Sequence, residues 1–164
     1  MAGIGSWPEG TVHVDGDVVI DGVSLTALAA EATTPYPCVR ALIEPWSDGV
    51  VTSPVAFISA VLTHVTAVEG DARGRRVIVV DAALEGRAAI LSEACLIGRS
   101  TARVRRVRAR VRFAGSSSTH RISLPLDVGV GELLVIPCDG TLLRADLVGE
   151  EVRAPADPRP SSHP

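Results

Sequence analysis

Side chains that could polarise a carbonyl oxygen concentrate in two short stretches of this chain. Tyr36 and Trp46 flank a proline-bearing connection, whereas Ser116 and His120 lie in FAGSSSTH, residues 113–120. A phenol, an indole N–H, a hydroxyl and an imidazole can each donate a hydrogen bond. Donors of this kind stabilise the negative charge that develops on a carbonyl or enolate oxygen during a reaction. The pattern favours chemistry by positioning and hydrogen bonding.

His64 is a further candidate because it interrupts an otherwise apolar segment, ISAVLTHVTAV. Two interpretations stay open for it: a structural histidine with satisfied hydrogen bonds, or a polar group inside a ligand cavity. Phe57 lies an odd number of positions away, so on an alternating strand only one of the two can point into such a cavity. The predicted catalytic residues are Tyr36, Trp46, His64 and His120. The residues predicted to contact a substrate are Phe57, Phe113, Ser116, Cys138, Leu142 and Arg144.

Conventional catalytic and cofactor chemistry is disfavoured by what the sequence lacks. All 16 basic residues are arginine, and without lysine the chain cannot form a Schiff base with pyridoxal phosphate. A triad of Ser116, His120 and Asp139 lacks the GxSxG elbow that presents a serine nucleophile. No two histidines are spaced as metal ligands, and the three cysteines contain no CxxC pair. We therefore expect no cofactor, no metal, and reduced thiols.

Length and composition indicate one globular domain. The chain has 164 residues, of which 46% are hydrophobic and only 3% aromatic, so Val, Leu, Ala and Ile must fill the core. The net charge of −3 argues against general affinity for nucleic acid. No apolar run reaches the ~18–20 residues that span a bilayer, and the N-terminus lacks the basic and apolar regions of a signal peptide. We expect a cytoplasmic protein without nucleic-acid or membrane partners.

Strand patterns dominate the chain. Residues 11–23 hold two short β-rich runs around a central Asp-Gly-Asp, a hairpin signature, and Ser24 is placed to cap a short helix over SLTALAAEA. Residues 35–54 carry four prolines, which predicts an irregular connection. VAFISAVLTHVTAV, residues 55–68, is apolar on both alternating faces. It is therefore predicted to be a strand buried on both sides or a long curved barrel strand.

Further strands are predicted at 77–84, in RISLPL, in GELLVIP and in TLLRADLVGEEVR, whereas 86–98 fits one or two helical turns. About eight short strands with little helix favour a mainly β fold, namely a compact closed β-barrel with one short helix. The predicted organisation is an N-terminal arm (1–10), a single β-barrel domain (11–153) and a disordered tail (154–164).

Arginine alternates with valine or alanine in TARVRRVRARVRF, residues 101–113, and this alternation has the period of a β-strand. The Arg105-Arg106 doublet breaks the phase, which predicts a β-bulge there. Three interpretations of the arginine row stay open. It could be a solvated strand face, a subunit interface or, least favoured because no aromatic residues interleave with the arginines, a nucleic-acid site.

Three separated segments, in the same order, carry a family resemblance. VVIDGVSLTALAAEATTPYP (18–37) resembles the N-terminal segment of diaminopimelate decarboxylases, within the fold-type III ornithine/diaminopimelate/arginine decarboxylases. AFISAVLTHVTAVEGDARGRRVIVVDAAL is similar to the family's return strands, and ISLPLDVGVGELLVIPCDGT to a late strand. The resemblance implies a decarboxylase-like β-barrel that lacks the large pyridoxal-phosphate-binding (β/α)8 barrel, and it implies a homodimer.

The decarboxylase site does not carry over with this resemblance. The family's Cys-Glu-Ser-x-Asp stretch falls near FAGSSST, which holds no Cys, Glu or Asp, and its Gly-Ala-Tyr motif falls at Gly140-Thr141-Leu142. Its Arg-Pro-x-Leu-Tyr stretch aligns loosely with Arg87-Ala88-Ala89-Ile90-Leu91, which keeps the arginine and loses the tyrosine. We therefore expect no decarboxylation by the family's mechanism.

Two functional hypotheses follow. The first is a cofactor-independent cyclase of bacterial specialised, polyketide-type metabolism, which folds an apolar polyene-like substrate in the barrel and promotes cyclisation by shape and hydrogen bonding. The second is a non-catalytic small-molecule-binding or protein-partner module. A deep apolar cavity open to solvent would favour the cyclase, and a filled core with a flat apolar patch would favour the module. Either way, the ligand is expected at the barrel end formed by 36–46, 113–120 and 138–144.

Overall fold

The computed structural model describes residues 7–8, 10–31, 36–42, 56–140, 142 and 144–148. Within these ranges the strands are β1 Thr11–Val14, β2 Asp17–Ile20, β3 Val23–Ser24, β4 Tyr36–Leu42, β5 Ala56–Gly70, β6 Arg76–Val80, β7 Ala88–Ala89, β8 Cys95–Ile97, β9 Arg106–Arg112, β10 His120–Pro125 and β11 Leu133–Asp139. The helical segments are α1 Leu25–Glu31, the single 3-10 turn η1 Leu91–Glu93, and α2 Arg144–Leu147.

Most strands belong to one sheet, in the order β10-β9-β6-β5-β11-β7, with β4 also pairing β5 and β8 also pairing β11. Neighbours are antiparallel except β6 and β9, which run parallel. The sheet is strongly curled into a half-barrel, and its edge strand β10 lies close to η1 and β8. The predicted mainly β fold with a short helix is confirmed, whereas closure into a full barrel stays a prediction.

β5 is the centre of the fold because both of its faces are buried. Every residue in the range 58–63 is buried. Val61 and Val65 belong to the core inside the half-barrel, whereas Ala60 and Leu62 belong to a second cluster on the opposite face. Successive side chains of a strand point to opposite faces, so an unbroken apolar run suits a strand covered on both sides. This prediction from the sequence is confirmed.

β1, β2 and β3 form a separate three-stranded sheet. The single closed barrel predicted over 11–153 implies that 11–23 pairs with the strands after residue 50, and among the described strands this pairing is absent. Val18 and Ile20 of β2 instead pack, with Leu25 of α1, in the second cluster over β5, β8 and β11. The hairpin and α1 are as predicted, and the Ala27 amide donates to Ser24 Oγ at 3.2 Å, which makes Ser24 the N-cap.

Three local predictions are wrong. Tyr36–Leu42 is a strand rather than an irregular connection. Among the described strands it pairs with β5 alone, so it is an edge strand, where a proline such as Pro37 is tolerated. Residues Arg144–Leu147 are helical where a last strand was expected, in a run of good helix formers. The Arg105-Arg106 doublet lies at the start of β9, which begins at Arg106, instead of forming a bulge within the strand. A register shift lies in β5 between Val65 and Ala67.

The parallel pairing of β6 and β9 decides which loops share one end of the sheet. The segments that follow these strands, 81–87 and 113–119, leave the sheet in the same direction. They are joined by a hydrogen bond from the Ala114 amide to the Ala82 carbonyl at 3.0 Å. β11 runs in the same direction as β6, and its last residues, Cys138 and Asp139, pair with β7 directly after the 81–87 segment. Residues 113–120 and 138–140 therefore lie at one end of the half-barrel.

Candidate functional site

One cluster at this end of the sheet brings together side chains from two loops. Ser116 Oγ donates a hydrogen bond to Glu85 Oε2 at 2.9 Å, and His120 Nε2 lies 2.9 Å from the same carboxylate oxygen. The His120 ring stacks on Phe113, with centroids 5.4 Å apart and planes 29° apart. We call Glu85, Phe113, Ser116 and His120 the end cluster.

Local backbone geometry places Ser116 in this cluster. The Ser116 amide donates to the Phe113 carbonyl at 3.1 Å, closing a turn in which Gly115 has a positive φ of 73°. Ser116 Oγ also accepts the Ser118 amide at 3.1 Å. Glycine adopts such a φ without steric cost, so the Ala-Gly-Ser sequence favours this reversal after β9.

The electrostatics of the end cluster centre on Glu85. Hydrogen bonds from His120 and then Ser116 lower the pKa of this carboxyl below its ordinary value of 4.5. The side chains of His120 and Glu85 are 38% and 44% exposed, so solvent screens their pairing. Because Ser116 donates to the glutamate rather than to the histidine, His120 is not placed to deprotonate the serine. The cluster can offer hydrogen bonds and an oriented imidazole.

Among the predicted site residues, the structure gathers Phe113, Ser116 and His120. Cys138 and Leu142 lie in the same core as Phe113, and burial raises the pKa of the Cys138 thiol to about 12, so it is a core side chain. Glu85 was missed, since it lies in a polar turn with no motif around it. Trp46 and the side chains of Tyr36, Phe57 and Arg144 lie outside the described residues.

His64 lies at the edge of a polar cluster on β5 and is not part of the end cluster. Its Nδ1 is 4.0 Å from Asp81 Oδ2, and its amide donates to Asp81 Oδ1 at 3.0 Å. Thr63 Oγ1, on the buried side of the strand, donates to the same carboxylate and accepts the Ala82 amide at 3.1 Å. These contacts favour the structural interpretation of His64.

A second candidate site is a cleft of about 530 Å³ between η1 and the strands β9 and β10. Its polar groups come from Arg75, Arg108, Arg110, Arg121, Ser92 and Ser123. Its apolar atoms come from Leu91, Ala109 and Ile122. We call this the arginine cleft. It combines the charged face of β9 with the turn that faces the sheet edge.

Strand alternation places the arginines of β9 on the face opposite the core. On β9, Ala109 and Val111 are buried in the core, so Arg108 and Arg110 point away from it. Arg75 is held by Asp71, with Nε 2.6 Å from Oδ2. The predicted arginine strand is thus confirmed as a strand, and the sequence alone could not show that η1 borders it.

Comparison of the sequence with known proteins finds no matching family model and no matching curated protein. Within the described ranges no helix is both long and apolar enough to cross a membrane. In the same part of the chain, no three His, Cys, Asp or Glu side chains group in a way that could hold a metal ion.

Proposed function

We propose that this chain is a non-catalytic module that binds a small molecule in the arginine cleft. The observation that carries the proposal is the cleft itself, because a volume of about 530 Å³ lies within the range of small-molecule sites. Its lining side chains are arginine, serine and aliphatic residues. Arginine and serine side chains donate hydrogen bonds to a ligand, so the cleft is suited to binding.

The described core supports a binding module over the predicted cyclase. Inside the half-barrel, side chains from β5, β6, β9, β10 and β11 form one buried apolar cluster. Leu134 and Ile136 of β11 and Ile78 of β6 are fully buried within it. A cyclase that folds a polyene needs an open cavity in that position.

Thermal-shift screening of small molecules would test the proposal. A ligand that binds only the folded state raises the melting temperature, and the increase grows with the logarithm of one plus the ratio of the free ligand concentration to Kd. We expect ligands that stabilise the wild-type protein to lose that effect in Leu91→Trp, which fills the cleft from η1. Equal stabilisation of the variant would place the site elsewhere, and no stabilising ligand at all would count against a binding module.

The end cluster favours a second candidate, the cofactor-independent cyclase, because two predicted donors meet at one carboxylate. The test is to incubate the protein with linear polyenes that bear a carbonyl group and to measure turnover as the loss of the polyene absorption. If His120 stabilises developing charge, His120→Ala should lower the rate on the order of 10²-fold. His13→Ala, at an exposed position on β1, is the control. No turnover by the wild-type protein, or unchanged turnover by His120→Ala, would contradict this candidate.

A further inference from the structure

The arginines of β9 differ in whether the fold gives them a partner. Arg106 donates to the Ser123 carbonyl at 2.5 Å, and Arg112 donates to Glu69 at 2.8 Å. The arginines between them line the cleft, together with one from β10. Among the described residues no hydrogen-bond or ion-pair partner is found for the side chains of Arg108, Arg110 and Arg121. On β9 and β10, the arginines without a described partner are therefore the ones that line the cleft.

The strand register places these cations side by side. Arg110 is the direct cross-strand partner of Arg121, and Arg108 is the partner of Ser123. Directly opposite residues of an antiparallel pair have Cβ atoms only about 5 Å apart, and like charges in this position are destabilising. Arg108 lies two residues before Arg110 on the same face of β9, so the two Cβ atoms are about 7 Å apart. Three positive charges thus lie within reach of one small ligand.

We propose that the arginine cleft binds a small organic molecule that carries two or more oxyanion groups, either phosphates or carboxylates. This inference rests on the proposed binding function and names its ligand class. One oxyanion lies between Arg110 and Arg121, where guanidinium groups form charge-assisted, often bidentate hydrogen bonds. The second lies beside Arg108, with the Ser123 and Ser92 hydroxyls as further donors. The apolar remainder of the ligand contacts Leu91.

The shape and composition of the cleft favour a small anion over a nucleic-acid strand. None of the described side chains that line it is aromatic, so these residues offer bases no stacking surface. The turn η1 borders one side, which limits the length of a bound molecule. The protein as a whole carries a net charge of −3, which opposes binding to a long phosphate backbone.

Isothermal titration calorimetry with pyrophosphate and with citrate tests the inference on the full chain at low salt. We expect both to bind, and we expect Arg110→Ala and Arg121→Ala each to weaken binding about ten-fold or more, because each removes charge-assisted hydrogen bonds. Arg103→Ala is the matched control, since Arg103 is exposed outside the cleft and also lacks a described partner. Raising NaCl from about 50 mM to about 500 mM should weaken binding of the wild-type protein.

Each variant is checked for a melting temperature no lower than that of the wild-type protein, and if Arg110→Ala is unfolded, Arg121→Ala and Arg108→Ala carry the test. Absence of binding by both anions would overturn the inference. So would an equal loss in Arg103→Ala, which would indicate diffuse attraction. Binding only to a single-stranded oligonucleotide or to phosphatidylglycerol vesicles would show that the ligand class is wrong. If neutral molecules stabilise the wild-type protein but not Leu91→Trp, and neither anion binds, the inference fails and the proposed binding function stands.

Discussion

At the scale of residues, Glu85 links two donors that lie on a different loop. Ser116 and His120 both contact its Oε2 atom, so they are held near each other without contacting directly. The same carboxylate ties the segment after β6 to the segment after β9. Its charge state therefore affects both the geometry of the end cluster and the attachment of the 113–119 loop.

The lowered pKa of Glu85 predicts a specific dependence of stability on pH. Because His120 and Ser116 hold this carboxyl below its ordinary value of 4.5, its stabilising contribution is present above 4.5 and is lost as pH falls through the lowered value. We expect Glu85→Gln to melt below wild type near neutral pH and the difference to shrink as pH falls from about 7 to about 3. Thermal melts across this range provide the measurement. A difference independent of pH would show that the glutamate charge is not the cause.

Ser59 illustrates a residue whose hydroxyl is buried and fully used. Its Oγ donates to the Gly140 carbonyl at 2.8 Å and accepts the Leu142 amide at 3.0 Å. Ser59→Ala should lower the free energy of unfolding by about 1–3 kcal/mol, because two buried backbone groups lose their partner. Urea denaturation measures the change. Ser100→Ala, at an exposed position, should stay within about 0.5 kcal/mol of wild type.

The candidate residues could be predicted where their relation is local. Ser116 lies four residues before His120, the first residue of β10, so their proximity follows from the sequence. Glu85 could not be found in this way, because it reaches them only through the parallel pairing of β6 and β9. The arginine row follows from alternation, but the cleft depends on where η1 lies relative to β10.

At the scale of elements, α1 begins with a cap supplied by a neighbouring strand. Asp17 of β2 accepts the Thr26 amide at 3.0 Å and the Thr26 hydroxyl at 2.7 Å, and it also accepts the Ser24 hydroxyl. Burial alone would raise the pKa of Asp17, but hydrogen bonds from Ser24, Thr26 and Val18 outweigh it and lower the pKa. The carboxylate therefore joins the helix start to the hairpin.

Replacing this cap should destabilise the protein. We expect Asp17→Ala to cost about 1 kcal/mol or somewhat more, because the N-terminal amides of α1 lose an acceptor and a favourable negative charge. Glu31→Gln is the control, since it removes a carboxylate from the opposite end of the same helix, where a negative charge is unfavourable. Urea denaturation and the far-ultraviolet circular dichroism of both variants measure the effect. An equal loss in both variants would contradict a capping role.

Elements with a strong local pattern could be predicted, namely the hairpin, α1, β5 and β9. β4 and α2 could not, for different reasons. Tyr36–Leu42 reads as a proline-bearing connection, and it becomes a strand because β5 offers its edge as a pairing partner. The segment containing α2 is short, so its periodicity does not separate helix from strand.

At the scale of the whole molecule, the small sheet and the half-barrel share a core. Leu25 of α1 is fully buried in the cluster that also holds Leu62 and Val135. The hairpin turn docks as well, because the Gly98 amide donates to the Gly16 carbonyl at 2.8 Å. The two sheets are thus joined by packing although no ladder connects them in the described strands.

This shared core predicts one cooperative unfolding transition. Leu25→Ala should lower the free energy of unfolding by about 2–5 kcal/mol, because it leaves a cavity between the sheets. The circular dichroism signal and tryptophan fluorescence should change together in urea, at a lower midpoint than in wild type. Leu126→Ala is the control, since Leu126 is 53% exposed. Two separate transitions would show that the sheets fold independently.

The connection between β6 and β9 also has a consequence for folding kinetics. After β6 the chain crosses to the opposite part of the sheet, where β7 and β8 pair with β11, and only then returns to form β9 beside β6. β11 itself pairs with β5, so Asp139 lies opposite Ile58. The sheet is therefore dominated by contacts between residues distant in sequence, whose loops must close before their contacts stabilise the chain. Folding on a timescale of roughly milliseconds to seconds is expected for such a topology.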